Sequence, residues 1–578
     1  MSCIICIMVV MHIDIVPNRN SNPSILLRES YREGNKVRKR TLANLSKLSM
    51  DQVQLLRQVL KGEQLVRGDA LFDIVSSRQH GHVQAVLKAM KRLRFAELIG
   101  SQHTRERDIV LGMVAARILE PLSKLATTRW WHTTTLPEEL GLSDVCEDDL
   151  YDALDWLLKR QPRIEKKLAS RHLSEGGLMM YDLSSSYFEG ESCPLAMRGY
   201  SRDKKKGKLQ VNYGLLTDRR GCPVSISVFP GNSGDPKTLI PQVEKVRERF
   251  NIKKMVLVGD RGMISQTQID KLIKMDGIDW ISALRSTQIH QLIEDGTIEL
   301  SLFDERNLIE FTHPDFPGER LVVCRNPLMA EKRVRTRQSL LVATMRELDK
   351  VVGMVKRGRL KEEDKIGLRV GKVVNKYKMA KHFSLEIRQG HFSYRILEEK
   401  VGEEARLDGL YVVRTSLSKE EMSGEDAVRS YKQLSHVERA FRSMKGIDVK
   451  VRPIYHHLEG RVRAHIFLSM LAYYVEWHMK EAWRELLFSD EEQAAKKERD
   501  PVAPAKRSAR ALKKVHSQRL DDGTQVHSFH TLLMDLATIV RNTCRRKGGS
   551  VGEPKFSLTT TPSVKQKRAL ELLDTITV

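Results

Sequence analysis

Two aspartates close apolar runs: Asp182 follows Leu178-Met-Met-Tyr181, and Asp260 follows Val256-Leu-Val-Gly259. Runs of this kind read as buried strands, and a carboxylate at the end of one is costly to bury unless something pairs with it. A divalent cation is one such partner. The alternative is an aspartate that caps the turn after its strand. A third oxygen donor stands in Tyr431-Lys-Gln-Leu-Ser-His-Val-Glu438-Arg-Ala-Phe-Arg-Ser-Met-Lys445. On an ideal helix, steps of seven keep Tyr431, Glu438 and Lys445 on one stripe, drifting about 20° per step. Val437, Phe441 and Met444 turn that helix toward a core, so a charged residue on the same side needs a purpose. For Glu438 the plainer alternative is a salt bridge to Arg442 at i,i+4. Three carboxylates suit hard cations, which take oxygen ligands and bridge phosphate oxygens. The expectation is therefore Asp182, Asp260 and Glu438 as ligands of two Mg²⁺ ions, with Mn²⁺ as a substitute, serving in-line phosphodiester chemistry. Imidazole suits softer metals, so His436, His456 and His457 are expected to be structural or to touch phosphate.

These side chains need a scaffold, and the element order supplies one. Gly177–Leu183, Leu209–Leu216 and Pro223–Phe229 read as three strands joined by short connections. A helix follows, then Met255–Asp260, a helix near 268–274, and Asp279–Leu284. The order βββαβαβ is that of an RNase H-like core, an α/β class with a mixed sheet covered by helices. In it the first and fourth strands are neighbours, so Asp182 and Asp260 would converge. Residues 291–410 interrupt the core: a long basic amphipathic helix over Glu331–Arg359, then strands over Val370–Tyr394 and Leu410–Thr415. Helices are expected over Glu425–Met444 and Ala464–Leu487. Upstream, residues 1–48 alternate as a small β-unit, with Ile13, Ile15, Ile25–Tyr31, Val37–Leu45 and a Gly34-Asn35 turn. The resulting division is 1–48, a helical DNA-binding domain over 49–175, core over 176–290 and 411–487, an insertion over 291–410, and a basic linker with a helical C-terminal region over 488–578. Basic helix residues Lys88, Lys91, Arg92 and Arg94 read either as a DNA contact or as a solvated face.

The chain has 578 residues, 98 Lys+Arg against 74 Asp+Glu, and a formal charge of +24. A surface that basic attracts a polyanion, with double-stranded DNA first. At 41% hydrophobic and 30% charged, the composition excludes wholesale disorder. Seven scattered cysteines fit a reducing compartment better than a disulfide scaffold. Only Cys3-x2-Cys6 has metal-ligand spacing, and without a second pair it reads as two small apolar residues. The apolar opening lacks the layout of an export signal, and Ala464–Val475 is too short to span a bilayer. A cytoplasmic protein at the nucleoid, with no membrane partner, is expected. Arg202, Lys204, Lys205, Lys206 and Lys208 after the first strand, and Lys376, Lys378 and Lys381 interleaved with Tyr377 and Phe383, are candidate phosphate contacts.

Taken together, Tyr181-Asp-Leu-Ser-Ser-Ser186, Gly199-Tyr-Ser-Arg-Asp203, Phe229-Pro-Gly-Asn-Ser-Gly-Asp235, Gly259-Asp-Arg-Gly-Met263 and Tyr431 through Lys445 resemble the DDE transposases of bacterial insertion sequences. The similarity is to insertion-sequence superfamily four, nearest its branch numbered sixteen thirty-four, over nearly the whole chain. It implies Asp182, Asp260 and Glu438 as the metal triad, Tyr431 and Lys445 on a terminal phosphate, and 291–410 as an insertion domain. The family's Tyr-x2-Arg-x3-Glu-x6-Lys signature has Leu434 in place of its arginine, and Arg439 or Arg442 could stand in. Some relatives form a DNA hairpin and stack a flipped base on an insertion tryptophan. Here 291–410 has none, which turns attention to Trp280, Phe303, Phe311 and Tyr377. The implied activity is binding of terminal inverted repeats by a dimer or larger assembly, cleavage to 3′-hydroxyls, and joining to target DNA. A metal-dependent endonuclease without strand joining and a non-catalytic DNA-binding repressor are the rivals.

Overall fold

The structure, a computed structural model, describes residues 10–578 apart from 20–21, 35, 64–71, 191, 300–302, 304–306, 493–498, 504–505 and 548–553. Cys3, Cys6 and Asn35 lie outside the described residues. The chain divides into two compact units, 1–77 with 541–559, and 78–540 with 560–578. In the smaller unit Val10–Val16, Ser24–Glu33 and Lys36–Asn44 form an antiparallel sheet, and the helix Met50–Leu60 packs Val53 onto Ile13 and Ile25. Ser49 and Gln52 close a capping box at the start of that helix. Three strands correct the helical readings of 49–175 and of the C-terminal region. Phe72–Gln79 is a strand, and it pairs with Val540–Arg546, which pairs in turn with Phe556–Thr559. No local period announces a pairing across more than four hundred residues.

The larger unit is built on one eight-stranded mixed sheet. Its order is Leu308–Thr312, Arg320–Arg325, Leu410–Thr415, Ile278–Ala283, Met255–Val258, Leu178–Tyr187, Gln210–Asp218, Pro223–Pro230. The strand Leu178–Tyr187 runs antiparallel to Gln210–Asp218 and parallel to Met255–Val258, which is parallel to Ile278–Ala283. Met180 faces Val258 in the parallel pair. Asp182 and Asp260 each follow that pair by two residues, Asp182 still within its strand and Asp260 just past the end of its own, so they lie on neighbouring chain segments. Asp182 does not end its strand as its sequence suggests. Pairing with Gln210–Asp218 carries that strand on to Tyr187, and Asp182 sits opposite Leu215.

All nine residues of Gln210–Asp218 are buried, as a central strand covered on both faces requires. Helices Glu147–His172 and Glu459–Ala482 pack on Pro223–Pro230, and Asp235–Arg249 packs on Leu178–Tyr187. Pro223–Pro230 is a sheet edge, and side chains satisfy its backbone. Glu165 accepts from Ile226 N at 3.1 Å, while Gln161 and Arg463 donate to the Ile226 and Val228 carbonyls at 2.9 and 2.8 Å. Lys88 and Arg92 bond Leu570, Asp574 and Ile576, so the 81–92 helix uses those cations within the fold. No helix among the described residues is long and apolar enough to cross a membrane.

The 291–410 stretch differs from its sequence reading in two ways. Leu308–Thr312 and Arg320–Arg325 join Leu410–Thr415 in lengthening the main sheet. Val370–Tyr377 is helix, part of Glu363–Tyr377, because Ile366, Val370 and Val374 recur every fourth residue and bury against the long helix Pro327–Lys356. Burial on one stripe overrides the β-propensity of valine here. The strands of this part are Phe383–Arg388 and His391–Ile396, an antiparallel hairpin. The expected single helix over Glu425–Met444 is likewise divided into Gly424–Lys432, Leu434–Arg442 and a π turn over Ser443–Ile447.

Candidate active site

Asp182 and Asp260 each commit one carboxylate oxygen to nearby backbone. Asp182 Oδ1 accepts from Leu183 N at 2.8 Å, and Asp260 Oδ1 accepts from Gly262 N at 3.1 Å and Met263 N at 2.8 Å. Turn capping by Asp260 is thus real and occupies half of its carboxylate. Both Oδ2 atoms lack hydrogen bonds among the described residues. Glu438 is exposed on Leu434–Arg442 and forms no ion pair with Arg442 or any other described residue. These carboxylates act on one another. Burial, then Asp260, and more weakly Glu438 raise the Asp182 carboxyl from 3.8 to about 7, against the Leu183 N–H and Arg202. A group of acids that repel one another, with free oxygens, is a donor set fit for a hard cation.

The remaining sequence motifs wrap this group. Tyr431 is half-buried, and its hydroxyl is pushed up to about 12 by burial and by Asp260 and Glu438, with Arg261 opposing. It therefore stays protonated and can donate. Leu434, where the arginine was expected, packs partly buried against the core. Arg439 and Arg442 are exposed, and the guanidinium that acts on Tyr431 is that of Arg261, which sequence reasoning passed over.

Lys445 is buried rather than displayed. Its Nζ lies 2.8 Å from Asp203 Oδ1, and Arg452 bonds the same oxygen. Tyr187 N donates to Asp203 Oδ2 at 3.1 Å, so a carboxylate with a 1% exposed side chain is fully engaged. Burial lowers the Lys445 ammonium, and Asp203 offsets part of that. The π turn removes the simple seven-residue step: Glu438 faces outward and Lys445 inward. Asp448 and Ser443 brace that turn, with Lys480 Nζ 2.8 Å from Asp448 Oδ2 and 3.2 Å from Ser443 Oγ.

Ser185 Oγ accepts from Arg202 N at 3.1 Å, and the Arg202 guanidinium pairs with Asp235. Gly199 and Gly231 let these two motif loops meet. A Cβ on Gly199 would stand 2.0 Å from the Gly231 carbonyl, and one on Gly231 would stand 1.9 Å from that of Gln210. Asp203 and Asp235 lay inside quoted motifs without an assigned role, and Arg452 carried no signal at all.

Lys204, Lys205 and Lys206 are exposed on their turn, Lys205 5.8 Å from the Tyr187 ring, while Lys208 pairs with Glu189 at 2.9 Å. Lys376 and Lys378 are exposed at the end of Glu363–Tyr377, and Phe383 beside them is buried. Trp280 and Phe303 are buried, with Trp280 Nε1 donating to Glu319 at 2.6 Å, which removes them as base-stacking surfaces. Phe311 and Tyr377 are half-buried.

A family described as the transposase DDE domain matches residues 188–475, and one described as the IS1634 family transposase N-terminal domain matches residues 13–70. Asp260 and Glu438 fall inside the first match, and Asp182 lies just ahead of it. No curated protein matches the chain. Among solved structures, the cryo-EM synaptic complex of piggyBac transposase with hairpin DNA aligns over 78% of this chain and 77% of that one, at 9% identity and a TM-score of 0.34. That likeness is too loose to carry any argument. The two family matches agree with each other, and by them the chain belongs to the DDE transposases of the IS1634 group.

Proposed function

We propose that the protein binds the terminal inverted repeats of its insertion sequence, cleaves the ends and joins them to target DNA, using an RNase H-like core. Support for that core is the strand order 3-2-1-4-5 of its first five strands, with the fourth and fifth parallel to the first. The observation that carries the reading is the placing of Asp182 and Asp260 on neighbouring chain segments, with burial first, then Asp260 and more weakly Glu438 raising the Asp182 carboxyl to about 7. These three would hold two Mg²⁺ ions, or Mn²⁺ in their place. Such ions, when bound, activate the attacking oxygen and neutralise charge on the phosphoryl and leaving oxygens.

In the first step water attacks the phosphorus at the element end, the P–O3′ bond breaks, and the departing 3′-oxygen takes up a proton. In the second that 3′-hydroxyl attacks a target phosphorus, displaces the target's own 3′-oxygen and loses its proton. Tyr431, kept protonated, donates to a phosphate oxygen, and Arg261 supplies the charge that the family's arginine would bring. Lys445 reaches a phosphate by exchanging Asp203 for it. Lys204, Lys205, Lys206, Lys376 and Lys378 bear on the duplex backbone, with Arg202 nearer Asp182. Two ends require at least two protomers. Asp260→Asn and Glu438→Gln should each abolish Mg²⁺-dependent cleavage of end-bearing DNA while leaving DNA binding intact. Retained cleavage in either variant refutes the triad, and cleavage without strand joining in the wild type identifies an endonuclease.

A further inference from the structure

A second constellation lies at the opposite end of the central strands. His172 is the last residue of Glu147–His172, Cys222 ends the turn after Gln210–Asp218, and His478 lies on Glu459–Ala482. One side-chain donor atom from each falls within 4.8 Å of the other two. Cys222 and His478 are buried and His172 half-buried. Cys222 Sγ is 3.8 Å from His478 Nε2, and the Tyr474 hydroxyl is 3.0 Å from His172 Nε2. Asp218 Oδ1 accepts from Cys222 N at 2.9 Å and fixes the turn that presents the thiol. Asp218 faces Met179 across the ladder, whereas Asp182 faces Leu215, roughly 10 Å further along the strands.

We propose that His172, Cys222 and His478 bind one Zn²⁺-class ion, with water completing a tetrahedron. The donors decide the class: one sulfur and two imidazoles favour zinc or cobalt and disfavour magnesium. Tetrahedral ligands at Zn–S of about 2.3 Å and Zn–N of about 2.1 Å stand roughly 3.5 Å apart, so the 3.8 Å pair is nearly in place and closure needs about an ångström of side-chain movement. The plainer alternative is a buried thiol that only accepts from His478 N–H. A bound ion would tie together helix, turn and helix from three distant parts of the chain, a structural role separate from the carboxylate centre.

The test uses the full chain, stripped with EDTA and held in excess Mg²⁺ so that oxygen sites are filled, then titrated with Co²⁺. The expected result is one equivalent giving a thiolate-to-cobalt band in the near ultraviolet with tetrahedral visible bands, displaced by Zn²⁺. Cys222→Ser, nearly isosteric, should abolish the thiolate band, and His172→Asn should weaken binding about tenfold or more. As a check free of substitutions, Zn²⁺ added to the stripped wild type in excess Mg²⁺ should raise its melting temperature. No thiolate band in the wild type, a band that survives Cys222→Ser, or a melting temperature unmoved by Zn²⁺ would each overturn the proposal. None of these readouts depends on DNA cleavage, so the active-site reading stands or falls separately.

Discussion

Replacing Asp182 by Asn should stabilise the protein in the absence of divalent ions, at the expense of its chemistry. The folded chain raises this carboxyl from 3.8 to about 7 through burial and the Asp260 charge. A carboxyl raised in the folded state holds its proton between about pH 4 and 7, where the unfolded chain has released it. Stability is therefore full below pH 4 and declines as pH rises through that window, after which the loss is constant. At about 1.4 kcal/mol per pH unit the full loss is roughly 4 kcal/mol. Because the side chain is half-buried and solvent screens part of the repulsion, about 2 kcal/mol is expected. An asparagine carbonyl can keep the Leu183 N–H bond, so little else changes. Thermal or urea unfolding in EDTA from pH 4 to 8.5 should show the two proteins converging near pH 4, with the variant ahead by about 2 kcal/mol above pH 7. Millimolar Mg²⁺ should then raise the wild type and leave the variant nearly unmoved. A gap that does not vary with pH, or a variant less stable than the wild type at pH 8, would refute the idea that crowded carboxylates await a cation.

Asp203→Asn should lower stability by about 3–5 kcal/mol in urea unfolding at pH 7, since it leaves buried Lys445 without its charge partner. Adding Lys445→Met should recover part of that loss, and no recovery would contradict the pairing. Gly231→Ala should cost about 1–3 kcal/mol in thermal unfolding, because its Cβ would press on the Gln210 and Met197 carbonyls at 1.9 and 2.7 Å; an unchanged melting temperature would argue against this close approach. Replacing Lys204, Lys205 and Lys206 together by Ala should flatten the dependence of log affinity on log salt by about three in duplex-binding anisotropy, and an unaltered slope would mark the turn as a solvated loop.

The strands of the core were legible because Leu178–Tyr181 and Met255–Val258 are continuous apolar runs and the others are short β-prone stretches bounded by turn residues, and their order implied which would be neighbours. Asp182, Asp260 and Glu438 stood out for a related reason, acids set beside residues that belong inside. What local pattern could not convey was partnership. Phe72–Gln79 is a strand only because Val540–Arg546 lies beside it, and Val370–Tyr377 is helical because Pro327–Lys356 offers an apolar stripe to pack on. The seven-residue spacing of Glu438 and Lys445 was visible, yet a π turn and a buried Asp203 decide that one faces out and the other in. His172, Cys222 and His478 have no spacing that any sequence pattern would select, and only the packing of two helices against a turn joins them. Hydrophobic periodicity is a property of neighbours along the chain and so belongs to the sequence. Strand pairing, charge partnership and donor convergence are properties of neighbours in space, and those came only with the fold.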